Sequence, residues 1–180
     1  MRNYLRHWNG MALLTGLSLI LFVIEAQIPP PLPLPGVKIG LANVVTVYAA
    51  YRYGPRDAFF ILAARIFLAA IFAGQASAFL YSFSGGMLCL LGMAALRQLI
   101  PLRFLWLVSI AGAILHNTGQ IMAAVLLTGT KAAALYWPVL ALTGAAAGAF
   151  TGIAAQYMLI RFGAVLAHFS GETVRIYREG

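Results

Sequence analysis

The sequence predicts an all-α, polytopic integral membrane protein of six transmembrane helices with both termini in the cytoplasm, and three observations carry that prediction. Of 180 residues, 62% are hydrophobic and only 9% charged, against about 25% charged in a soluble domain. So few charges cannot cover a water-facing exterior, whereas a lipid-facing one needs none. Proline, glycine and charge also divide the chain into six apolar stretches of near-spanning length, a membrane helix needing about 20 such residues. The bases, finally, are segregated. With the N-terminus inside, the cytoplasmic face holds Arg2, Arg6, Arg52, Arg56, Arg97, Arg103, Arg161, Arg175 and Arg178, and the opposite face only Lys38 and Lys131. This is the positive-inside pattern. It accounts for the net charge of +8 without a nucleic-acid partner, which would need bases interleaved with aromatics on a soluble surface.

Each element follows in order. The first span, near 9–28, comes after Arg2 and Arg6 and is too long for the apolar core of a cleavable signal. Pro29 to Gly36 then packs five prolines into eight residues, which forbids a regular helix and favours a stiff extended segment. The second span, 38–53, opens at Lys38 and carries Asn43. The third, 56–73, holds Arg65 near its middle. The fourth, 77–96, contains Tyr81, Ser82, Ser84 and the pair Gly85-Gly86, which predicts a kink or local unwinding. Its lone Cys89 has no disulfide partner and reads as packing. The fifth, 104–128, holds His116, Asn117 and Gln120. The sixth, 133–160, opens on the interfacial aromatics Tyr136 and Trp137. Residues 1–161 thus form one six-helix transmembrane domain, and 162–180 a short cytoplasmic tail with an interfacial helix over Phe162 to Phe169.

Ionisable side chains inside a membrane are costly and mark cavities or partners. Arg65 carries the most weight, because guanidinium cannot shed its charge and must find an anion in the bundle; a Glu25–Arg65 pair is the structural alternative. Glu25 could equally pair with Lys38 across the proline-rich loop. His116, Asn117 and Gln120 fall on one side of a helix by their three- and four-residue spacing. Small residues carry a second message. Gly144, Gly148 and Gly152 form two overlapping GxxxG patterns for close helix packing, and Ala12 with Gly16 repeats that spacing in the first helix.

Absences narrow the chemistry. The four acids, Glu25, Asp57, Glu172 and Glu179, include no two within four positions, so no carboxylate cluster for Mg²⁺ is expected. There is no Gly-Lys-Ser/Thr phosphate loop to use ATP and no ligand set for haem or an iron–sulfur centre. The chain is therefore expected to be non-catalytic alone, with no cofactor and no metal.

Several strings resemble a known family. Glu25-Ala26-Gln27-Ile28-Pro29, then Pro33 to Asn43 (PLPGVKIGLAN), the Tyr51-x-x-Gly54-Pro55-Arg56-Asp57-Ala58 turn, Arg65, Phe79-Leu80-Tyr81-Ser82-x-x-Gly85-Gly86 and His116-Asn117-x-Gly119-Gln120 are similar to the Gx-transporter family, also labelled heptaprenyl diphosphate synthase component I. The likeness spans roughly 10–160 and omits the tail. That family resembles the six-helix substrate-binding S components of energy-coupling-factor vitamin importers. The resemblance implies an S-component-like bundle in the bacterial cytoplasmic (inner) membrane. It also implies a cavity open to the outside, lidded by the loop between helices 1 and 2, and an Ala12–Gly16 surface docking a transmembrane coupling subunit driven by two ATPases.

Two functions follow from this reading. In the first, the chain is a membrane-embedded binding subunit for uptake of a small anionic or zwitterionic nutrient or precursor. Arg65 and Lys38 meet its anionic groups, His116, Asn117, Gln120 and Ser84 hydrogen-bond it, Glu25 and Asn43 close the site, and Tyr81 stacks. In the second, it is a non-catalytic membrane accessory subunit of a polyprenyl diphosphate or quinone-pathway enzyme.

Overall fold

The computed structural model describes residues 2–29, 38–73 and 76–170, and the proline-rich loop expected to act as a lid lies outside them, as does the tail from 171. Among the described residues the chain is all-helical. Six α-helices run α1 Arg2–Gln27, α2 Leu41–Arg52, α3 Pro55–Ala73, α4 Ala76–Leu96, α5 Leu105–Thr128 and α6 Trp137–Ser170, with short 3-10 turns at Leu102–Phe104 and Lys131–Tyr136. Stretches within α1, α4, α5 and α6, the latter two taken with the 3-10 turns before them, are long and apolar enough to cross a membrane, so this is a multi-pass membrane protein. The other two are set apart for physical reasons. The 12 residues of α2 reach only about 18 Å at 1.5 Å per residue, and α3 carries Arg56, Asp57 and Arg65. At the far end, α6 continues unbroken past Arg161 to Ser170.

Local chemistry explains the starts and stops. The turn into α2 is made by Gly40, whose φ of 86° lies in the left-handed region that only glycine enters freely. The turn into α3 uses Gly54 at φ 107°, followed by Pro55 at the first helical position and Asp57 in the first turn, where the helix dipole favours a negative charge. His7 Nε2 of α1 meets Asp57 Oδ2 at 3.2 Å.

The helices close a ring: α1 packs on α3, α3 on α4, α4 on α5, α5 on α6, α6 on α2 and α2 on α1, while α2 also leans on α3. Because neighbours surround α2, Ala42 and the whole run Val44 to Ala50 are buried. That burial matches its apolar character on all sides. Arg97, in the turn just past the end of α4, donates from Nη1 to the carbonyl of Ala50, where the last turn of α2 leaves carbonyls without helical partners. The outward faces are apolar instead, Leu13 and Leu126 being 74% and 82% exposed, as lipid requires.

Close packing of α5 depends on glycine. A Cβ at Gly148 would sit 2.8 Å from both Ile110 Cα and Ser109 O, and one at Gly152 2.6 Å from Trp106 Cα. Across α4 and α5, a Cβ at Gly85 would meet His116 O at 2.7 Å, and one at Gly119 would meet Ser84 O at 2.7 Å. The Gly85-Gly86 pair therefore does not unwind α4, as its sequence suggested; the helix runs through it, and the missing side chains are used for contact, Gly85 with α5 and Gly86 with Leu62 and Ile66 of α3. Ala12 and Gly16 face outward, with open space around Gly16. Gly148→Ala is expected to cost about 1–3 kcal/mol through overpacking. By contrast, Gly16→Ala should be neutral or stabilising by up to about 1 kcal/mol. Thermal unfolding of both variants in detergent checks the contrast.

Candidate functional site

One cavity of about 80 Å³ opens inside the ring, at the end where α1 finishes and α2 begins, and all six helices contribute to its wall. Arg65 comes from α3. It is 7% exposed, its Nη2 donates to Asn43 Oδ1 at a long 3.5 Å, and its Nε has no hydrogen-bond partner. Neither sequence-based ion pair forms: among the described residues no carboxylate approaches Arg65 or Lys38 within 4.0 Å. Glu25 instead accepts the backbone N–H of Gly40 at 2.5 Å, which fixes the end of α1 to the start of α2. Lys38 is exposed at the mouth, its Nζ 5.6 Å from the centre of the Phe22 ring. Leaving a guanidinium buried without an anion costs several kcal/mol, so this arrangement is not explained by packing.

The α5 wall is neutral. Asn117 is buried and its Nδ2 donates to Leu140 O of α6 at 2.5 Å. His116 and Gln120 line the same wall, one helical turn apart beside the close approach at Gly85. The structure thus brings Glu25, Lys38, Asn43, Arg65, His116, Asn117 and Gln120 to one cavity.

Two other residues proposed from the sequence stand elsewhere. Tyr81 is not on the wall; a helical step of about 100° puts Ser82 there instead. Ser84 is used between helices, its Oγ donating to Gly119 O at 3.0 Å and to Tyr81 O at 3.1 Å. Trp137, read as an interfacial anchor, donates from Nε1 to Thr118 Oγ1 at 3.0 Å. On α6 the sequence reading stopped at Gly144, Gly148 and Gly152 as packing residues. Gly144 and Gly148 also line the cavity, together with Thr143, Ala147 and Thr151. The signal was present in the spacing, because Thr143, Ala147 and Thr151 repeat at four-residue steps, each one position before a glycine of the stripe. Thr151 Oγ1 lies 3.0 Å from Ser109 Oγ.

The arrangement can hold a small polar molecule and can neutralise an anion. Among the described residues no three His, Cys, Asp or Glu side chains come together as a metal site. A family model described as Heptaprenyl diphosphate synthase component I matches residues 14–158. No curated protein and no solved structure matches the chain.

An unpaired buried charge that serves a ligand is a burden on the empty protein. Arg65→Met, of similar length and apolar, is expected to raise the melting temperature of the ligand-free protein by an amount equivalent to about 1 kcal/mol or more. A lowered melting temperature in differential scanning fluorimetry would show that the guanidinium is already satisfied by the fold.

Proposed function

The chain belongs to the heptaprenyl diphosphate synthase component I family, and from that premise we propose that it is the membrane-embedded binding subunit of a multi-component importer of the energy-coupling-factor type. The observation that carries this reading is the cavity itself: a polar chamber walled by all six helices, with a buried Arg65 whose Nε has no hydrogen-bond partner and which, among the described residues, has no carboxylate within 4.0 Å. Such a chamber suits capture of a small solute in a way that a purely structural bundle does not explain.

In this reading all six helices lie within the membrane, α2 being shielded by its neighbours and α3 turning Phe60, Phe67 and Phe72 outward to lipid, and both termini are cytoplasmic. The distribution of arginines supports that orientation. In that orientation the cavity end, where Lys38 stands, faces the outside of the bacterial cytoplasmic membrane. Arg65 and Lys38 attract the solute's anionic group. His116, Asn117 and Gln120 bond its polar atoms, with Asn43 and Glu25 near the mouth. Energy comes from a transmembrane coupling subunit and two ATPases, since this chain has no phosphate-binding loop. The exposed Ala12 and Gly16 on α1 offer a surface for close helix contact with that subunit.

The family's name favours a second reading, an accessory subunit of a polyprenyl diphosphate synthase. Co-purification separates the two. Recovery of the tagged chain from its native membrane with a transmembrane protein and two ATPases is the expected result, whereas recovery with an acid-rich prenyl synthase whose rate depends on the pair replaces this reading with the second. In the first reading Arg65→Ala abolishes solute retention in detergent while the protein stays folded, read by mass spectrometry of released small molecules and by melting temperature.

A further inference from the structure

The charges of the cavity divide by depth, and the division specifies a ligand class; this deepens the binding reading above and rests on it. At the mouth, Glu25 and Lys38 carry opposite charges. Glu25 is engaged by the Gly40 N–H, and Lys38 is exposed above the Phe22 ring. Deeper, Arg65 has an unpartnered Nε and one long bond to Asn43. The α4 and α5 parts of the wall present only neutral groups, from Ser82, His116, Asn117 and Gln120, the imidazole counted as neutral. The mouth charges cancel, so the net charge of the wall is that of one guanidinium.

A guanidinium offers parallel N–H donors that match a carboxylate in a two-point contact. Neutral donors and acceptors on α5 suit hydroxyl, carbonyl or amide groups. The volume of about 80 Å³ is room for several waters, each needing roughly 10–15 Å³, and not for an isoprenoid chain. A diphosphate brings more negative charge than one guanidinium neutralises and normally travels with Mg²⁺ held by carboxylates. Among the described residues, Glu25 is the one acid on this wall. We propose that the cavity binds a compact, hydrophilic monocarboxylic acid, its carboxylate seated on Arg65 and its uncharged polar groups against His116, Asn117 and Gln120.

The test is the melting temperature of the purified full-length protein in sodium acetate against sodium chloride at equal ionic strength. Acetamide serves as the uncharged match and sodium pyrophosphate as the diphosphate match. Acetate is expected to raise the melting temperature by about 3–6 °C at about ten times its Kd. Acetamide should leave it unchanged, and pyrophosphate should do no more than chloride. Arg65→Gln should lose the acetate response, and Arg65→Lys should keep part of it. A pyrophosphate response that disappears in Arg65→Gln overturns the carboxylate assignment while leaving the cavity a binding site. An acetate response that is absent in the wild type, matched by acetamide, or retained in Arg65→Gln overturns the proposal. If Arg65→Gln does not fold, the wild-type comparison of acetate with acetamide and pyrophosphate decides alone. The importer reading fails separately, by co-purification with a prenyl synthase.

Discussion

How near α5 can come to its two neighbours governs the rest of the bundle. In lipid, helices gain little from hiding apolar side chains from one another, since the surrounding tails are equally apolar, and association rests on close packing and on hydrogen bonds between helices. Gly85 and Gly119 on one side, and Gly148 and Gly152 on the other, remove the side chains that would hold α5 off α4 and α6. Polar bonds then form across the same seams, Ser84 to Gly119 and Ser109 with Thr151. With three helices drawn together, α1, α2 and α3 complete the ring, and the space left at one end becomes a chamber.

That chamber holds two kinds of polar group. Some are committed to the fold: Glu25 on Gly40, and Asn117 on Leu140. These bonds position backbone and side chain, and they leave the carboxamide oxygen of Asn117 as an acceptor for a visitor. Arg65 is of the other kind, with donors in excess of its partners. The same low-dielectric surroundings that make an unpaired charge costly also strengthen its attraction for an incoming anion.

Much of this architecture was legible in the residues, and the reasons differ from element to element. The six helical stretches stand out because proline, glycine and arginine punctuate apolar runs; α1, α4, α5 and α6 have the length and composition to cross a membrane. The short α2 shows why such a reading has limits: its burial on all sides comes from neighbours, which composition does not reveal. Arg65, His116, Asn117 and Gln120 could be singled out because polar groups in an apolar span have few roles. Tyr81 and Ser84 were misplaced because proximity in sequence does not fix rotation about the helix axis. The Glu25–Arg65 and Glu25–Lys38 pairs were reasonable on charge alone, yet the left-handed turn at Gly40 presents a backbone N–H to Glu25 first. The second role of the α6 stripe was hidden because glycine serves packing and cavity lining by the same lack of a side chain.

The tethering of α2 has a mechanical consequence. One end is tied to α1 through Glu25 and Gly40, and the other to the turn after α4 through Arg97 and Ala50. Between them lies a rod about 18 Å long whose sides are sheathed by other helices. A rod so mounted transmits thrust: a push on Asn43 at the chamber cannot be absorbed by bending over so short a length. It must reach Arg97, which is held at Ala50 some two helical turns away, or break a tether. In that sense α2 is a strut between the chamber and the turn that follows α4, and what happens at the chamber is mechanically felt at that turn.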